Sequence, residues 1–310
     1  MIAIGAAGGR KAEALERAFA GRSLWADARR RLFRNRAAVT GMVVLALIAL
    51  MALFAPLLSA YSYESIDYSI VSCAPDWWPM AATCHAGGTH WFGTDAVGRD
   101  LLVRVFYGAR VSLIVGFVAT LVSLVIGVLY GAIAGYVGGR VDAVMMRAVD
   151  ILYSLPFIFF VIILMVMFDR NFFLLFVAIG AVVWLTMARI VRGQTLSAKH
   201  KEYIEAARAA GVSTFGIIAR HIIPNVAGPV VVYVTLTVPD VILTESFLSF
   251  LGLGIQEPLT SWGVLISDGA NTMEAAPWML AFPALFMGVT LFCFNFIGDG
   301  LRDALDPKDF

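Results

Sequence analysis

The chain is 310 residues long, 60% apolar and 15% charged, and carries a formal net charge of +1. Those proportions exclude a soluble globular domain and point to an all-α membrane protein. Near-neutrality gives no support to nucleic-acid binding, and three cysteines are too few for a disulfide scaffold or a Cys-rich metal site.

Taken in order, residues 1–22 are rich in Ala and Gly and read as a poorly ordered tail. Met1–Gly9 lack a charged n-region and a cleavable apolar core, so no secretory signal peptide is expected. From Ser23 to Arg36, Leu24, Trp25, Ala28, Leu32 and Phe33 share one helical face. Arg29, Arg30, Arg31, Arg34 and Arg36 surround it, which suits a helix lying in the membrane interface. Residues 37–58 are apolar and long enough to cross the roughly 30 Å hydrocarbon core. A polar loop, 59–107, follows with Pro75, Pro79, several Trp, and Cys73 and Cys84.

The second span is expected over Val111–Val137, where Gly127, Gly131 and Gly135 recur every fourth residue and allow close approach of a neighbouring helix. A third is expected over 148–168 with Pro156 as a kink, and a fourth over 172–190. The fifth, 226–251, contains Pro229 and Pro239, and the sixth, 278–297, contains Pro283.

Charge sets the orientation. With the N-terminus in the cytoplasm, the arginine cluster, Arg140, Arg147, Arg189, Arg192, Lys199, Lys201, Arg208, Arg220, Arg302 and Lys308 fall inside, against Arg99, Arg104, Arg110 and Arg170 outside. Six spans with both termini cytoplasmic satisfy that asymmetry. The 59–107 loop is then external, where Cys73 and Cys84 either form a disulfide worth on the order of 3 kcal/mol or remain two unrelated thiols.

One polar segment interrupts the apolar half of the chain. Glu202 to Ala210 is Ala- and Glu-rich and favours helix, and Gly211 is placed to end it in a left-handed cap. Ala206, Ala207 and Ala210 offer a smooth face for another protein's groove, while Glu205 and Arg208 are spaced to pair. Ser213 caps a second short helix, Thr214 to Ile223, expected to stop at Pro224.

Catalytic constellations are missing from the sequence. No helical pair of His has zinc-ligand spacing, no Gly-x-Ser-x-Gly elbow occurs, and no Gly-Lys dipeptide exists to build a phosphate loop. If nucleotide drives this protein, another chain binds it. Intramembrane acids cost about 2.5 to 3.5 kcal/mol each on insertion scales, so Asp150, Asp240 and Glu245 each need a reason. Asp240 and Glu245 are the candidates for a polar substrate path. Asp299, Arg302, Asp303 and Asp306 read as fixing the inner end of the last span.

The order Glu205-Ala206-Ala207, Gly211 and Pro224 resembles the EAA loop by which ABC importer permeases dock on their ATPases. His221 stands where an apolar residue is usual and Ile223 where Leu is usual, a form similar to that of peptide permeases. The segments His90–Asp100, Ser246–Gly254 with Ser261-Trp262-Gly263, and Gly298–Pro307 resemble signatures of the peptide and nickel permease family. Gly21–Trp25, Asp27–Arg31, Asn35–Val39, Asp100–Val105 and Ala188–Leu196 are similar to the C-subunit branch of Gram-negative oligopeptide permeases.

The resemblance implies an ABC type I importer fold with a cytoplasmic coupling helix. Its parts would be an N-terminal tail and interfacial helix (1–36), an anchor (37–58), a periplasmic loop (59–107), a core domain (108–300, coupling loop 192–225) and a C-terminal tail (301–310). It further implies ATPase coupling through Glu205, Ala206, Ala207, Arg208, Gly211 and Pro224, and an inner-membrane location. Partners would be a B-type second permease, D- and F-type ATP-binding subunits that hold ATP and Mg, and a periplasmic peptide-binding protein. No catalytic residue, cofactor or metal is expected on this chain. Transport of dipeptides, glutathione or nickel by the same machine stays open, as does proton-coupled secondary transport.

Overall fold

The computed structural model describes residues 24–78, 89–167 and 172–305, and among them no β-strand forms beyond one isolated bridge between Thr94 and Asp100. The helices are α1 (Leu24–Arg34), α2 (Arg36–Leu53), α3 (Leu101–Val137), α4 (Gly139–Ser154), α5 (Phe157–Met167), α6 (Phe172–Lys199), α7 (Glu202–Ala209), α8 (Thr214–Phe250), α9 (Trp262–Asn271) and α10 (Trp278–Leu305). Five are long and apolar enough to cross a membrane, six when the bent pair α4–α5 counts as one span.

α1 and α2 are separated by Asn35, whose extended backbone leaves the helix while its side chain accepts the Ala38 amide as an N-cap. α1 also packs within the chain. Ala28 is buried, and a Cβ added at Gly300 of α10 would meet Leu32 and Ala38, so the start of the chain packs on its last helix.

α3 begins ten residues before the expected Val111, inside the stretch expected as loop, because Asp100 caps it by accepting the Val103 amide at 2.9 Å. Its glycine face is where two backbones meet. A Cβ on Gly131 would sit 2.4 Å from the Ala188 carbonyl, one on Gly127 would strike Met187, and one on Gly135 would strike Thr195. α3 and α6 therefore touch with almost no side chain between them.

The third span is broken where a kink was expected. Pro156 lacks an amide hydrogen and forces Leu155 into extended conformation, so α4 and α5 meet at 79°. Arg192 holds Asp142 through paired bonds of 2.5 and 2.6 Å, and Arg189 holds Asp150 at 2.8 Å, fixing α4 along α6.

The expected stop at Pro224 does not occur. α8 runs unbroken for 37 residues, because Ile218–Ile222 widen into one π-helical turn in which the Ile223 amide donates to the Ile218 carbonyl. Asn225 adds a side-chain bond to the His221 carbonyl at 2.6 Å. The widened turn leaves room for the proline ring. The expected fifth span is thus the continuation of the short helix before it, and α9, unexpected as a helix, packs into the bundle with Trp262 fully buried.

Because the α3–α6 contact has no slack, Gly131→Val should lower the stability of the purified protein by about 1–3 kcal/mol. Gly193→Ala, where a Cβ meets nothing, should be neutral, and thermal unfolding in detergent compares the two.

Candidate functional site

At one end of the bundle a compact polar knob is built from α7 and the start of α8. Ile204 and Ala207 are one helical turn apart, and both are buried in a cluster with Tyr136 of α3, Met187 and Val191 of α6, and Ile218 and Ile222 of α8. Ala207 thus faces the chain's own core, not the outward face expected of it. Glu202, Glu205, Ala206, Arg208 and Ala210 are exposed.

The turn out of α7 is tightly bonded. Gly211 takes a φ of +79°, its amide donates to the Arg208 carbonyl at 3.0 Å, and the Val212 amide donates to the Ala207 carbonyl at 3.1 Å. This is a Schellman closure, which needs the left-handed conformation glycine adopts freely. Ser213 then caps α8 by accepting the Gly216 amide. Phe215 follows, 76% exposed, on a groove lined by Ala210, Gly211, Ser213 and Arg220. Pro224 is exposed on the first turn beyond the π-helical widening.

Among the described residues no ion pair joins Glu205 to Arg208. Arg208 instead lies over the Tyr136 ring at 5.8 Å, a face it shares with Lys199 at 5.9 Å. The Glu205 carboxylate is left pointing outward on a knob held from behind by apolar contacts.

The other end is closed by the segment before α3. Thr94 binds Cys73 through backbone and side chain, and His90 pairs with Asp100 at 2.9 Å. Asp95 is the centre: it accepts the Val97 and Arg99 amides at 2.9 Å, the Arg99 Nε at 2.7 Å, and the guanidinium of fully buried Arg104. Arg99 reaches on to Glu257 at 2.9 Å, which ties this cap to the loop before α9. Burial opposes ionisation of Asp95, yet the Arg104 charge and the Arg99 and Val97 amides outweigh it and hold the carboxyl below its ordinary value.

The two acids proposed for a path part company. Glu245 has no exposed surface; Ser249 donates to it at 2.7 Å and Ser112 of α3 at 3.2 Å. The same Ser112 hydroxyl accepts the Trp262 amide at 3.2 Å, so α3, α8 and α9 meet around this carboxyl. Asp240 is exposed and lines a cavity of about 480 Å³ at the α4–α5 break. Cys73 is held in a disulfide; its expected partner Cys84 lies outside the described residues.

Residues 127–308 match the model of the binding-protein-dependent transport system inner membrane component family, and residues 23–75 match the N-terminal TM domain of oligopeptide transport permease C. The chain belongs to this permease family. It is similar to the oligopeptide transport system permease protein OppC of Escherichia coli K12, with 64% identity covering 93% of each chain. Its identity to the protein of the same name from Haemophilus influenzae is 58%, covering 93% of this chain and 90% of that one. A solved chain of the MetNI methionine ABC transporter, inward facing, shares the fold at a TM-score of 0.54 and 19% identity, covering 66% of this chain and 96% of that chain. This is the type I ABC importer permease fold of an inner-membrane, multi-pass protein.

Asp95, Arg104 and the serines around Glu245 are residues to which sequence reasoning assigned no individual role. Asp95 and Arg104 are nine residues apart in sequence and on different elements, so no helical spacing links them, although the Asp-rich turn before an apolar run was visible.

The lowered Asp95 value makes a signed prediction. Its stabilisation is fully present above the unfolded carboxylate pKa of about 3.9 and is lost as pH falls through the lower folded value. Asp95→Asn should flatten that acid limb and, by stranding buried Arg104, cost about 3–5 kcal/mol at neutral pH. Thermal unfolding from pH 3 to 7 checks both.

Proposed function

We propose that the chain is a permease subunit of an ATP-driven oligopeptide importer, with the α7 knob as the coupling element that takes its stroke from a separate ATPase. The observation that carries this reading is the exposed surface of Glu205, Ala206 and Phe215 at the head of an uninterrupted span. Relatives at 58–64% identity over most of the chain, each named an oligopeptide permease, support the cargo class.

In this reading both termini and α7 are cytoplasmic and the Asp95-centred cap is periplasmic, as the distribution of Lys and Arg requires. Cys73 pairs with Cys84 in that oxidising compartment. Two ATP-binding subunits, holding ATP and Mg, receive the knob through Glu205, Ala206 and Arg208. Ala207, Gly211 and Pro224 serve by holding its shape. A periplasmic peptide-binding protein delivers cargo at the cap. The stripe Asp240, Leu243, Phe247 and Phe250 lies open along one face of α8, and a second permease subunit covers it to enclose the path. ATP binding draws the paired knobs together and turns the path outward; hydrolysis resets it.

Ala206→Trp should abolish peptide uptake in cells while the subunit still inserts and co-purifies with the second permease. Ala207→Trp should instead reduce the amount of folded subunit. A single cysteine at Glu205 should react with a membrane-impermeant maleimide only after cells are opened; reaction in intact cells overturns the orientation and the coupling role together.

A further inference from the structure

The largely apolar cavity at the α4–α5 break has three features that together specify a ligand. Among the described residues Asp240 supplies its one acidic side chain, and that carboxylate has no hydrogen bond or ion pair. The nearest basic side chain along α6, Arg189, is already engaged by Asp150 and by the Tyr153 ring at 4.3 Å. α4 ends at the same cavity, with Tyr153 and Ser154 in its wall, so the negative end of a sixteen-residue helix lies beside it.

An unpaired carboxylate, a helix C-terminus and the Thr186 hydroxyl at a broken span make an environment for a monovalent cation bearing several N–H donors. Tyr233 and Thr237 add two more hydroxyls, and Leu152, Leu155, Phe157 and Val183 are among the apolar majority of the lining, which suits a cation carried on an organic body better than a hydrated metal ion. The geometry points to a binding site for the α-ammonium group of a peptide in transit, with Asp240 as its counter-ion. This rests on the peptide-permease reading and adds to it a specificity determinant inside the membrane.

The test uses the complete transporter in proteoliposomes, with trialanine and N-acetyl-trialanine each presented at concentrations that saturate the binding protein. Asp240→Asn should slow trialanine uptake about tenfold, the loss expected for one charge-assisted hydrogen bond, and slow N-acetyl-trialanine uptake several-fold less. Asp240→Glu should restore it. In a Ser154→Cys variant, ethylammonium thiosulfonate should react faster than ethylsulfonate thiosulfonate, and Asp240→Asn should remove that preference.

Equal slowing of both peptides, unchanged trialanine uptake, or equal reagent rates at Ser154→Cys would overturn the site. So would uptake that depends on sodium or potassium in the wild type and loses that dependence in Asp240→Asn. Failure of the peptide-permease reading is distinguishable: the wild-type complex would move neither peptide, while the reagent preference at Ser154→Cys would still report the cation site.

Discussion

Pro224 has no amide hydrogen, and a regular helix through it would leave a carbonyl without its donor and press the ring into the preceding turn. The π-helical widening at Ile218–Ile222 absorbs both problems, since the Ile223 amide reaches back five residues and the ring enters where the helix is broadest. The consequence is mechanical. At 1.5 Å per residue, the 37 residues of α8 make a rod about 55 Å long with the knob at one end and the Glu245 contacts toward the other. A helix that stopped at Pro224 would have put a joint between them. The knob is fixed to that rod by Ile204, Ala207 and the Gly211 closure, so the turn between them gives it little freedom to move apart from the span.

The two polar centres that stabilise the far end follow different rules. Around Glu245 the partners are hydroxyls, each able to swap one acceptor for another at little cost, and Ser112 serves Glu245 and Trp262 at once. Around Asp95 the partners are guanidinium groups and backbone amides, fixed in direction and costly to separate where Arg104 has no access to water. The cap is therefore built to stay as it is. The hydroxyl cluster joins three elements with bonds that can be exchanged while the carboxyl remains buried.

Much of this was legible in the sequence because membrane helices announce themselves by length and apolarity. The glycine stripe at 127, 131 and 135 was readable as close packing before any partner was known, and Gly211 as a left-handed cap. What the sequence hid depends on rotation and on distance. The outward or inward sense of Ala207 is set by which side of α7 meets Tyr136, and an alanine-rich helix carries too little hydrophobic contrast to tell. Pro224 read as a terminator since local rules know its missing donor but not the widened turn upstream. Glu245 and Asp240 are five residues apart on one helix, yet one is sealed and the other open, which only the positions of α3 and α9 decide.

The glycine contact between α3 and α6 has a further consequence. Where main chain lies on main chain there is no layer of side chains to slide or repack, so these two helices form a plank that can tilt but cannot shear. Any rearrangement of the bundle must then be taken up at the plank's margins. On one margin is the 79° elbow at Pro156; on the other is Ser112, where α3 holds the exchangeable latch to α8 and α9.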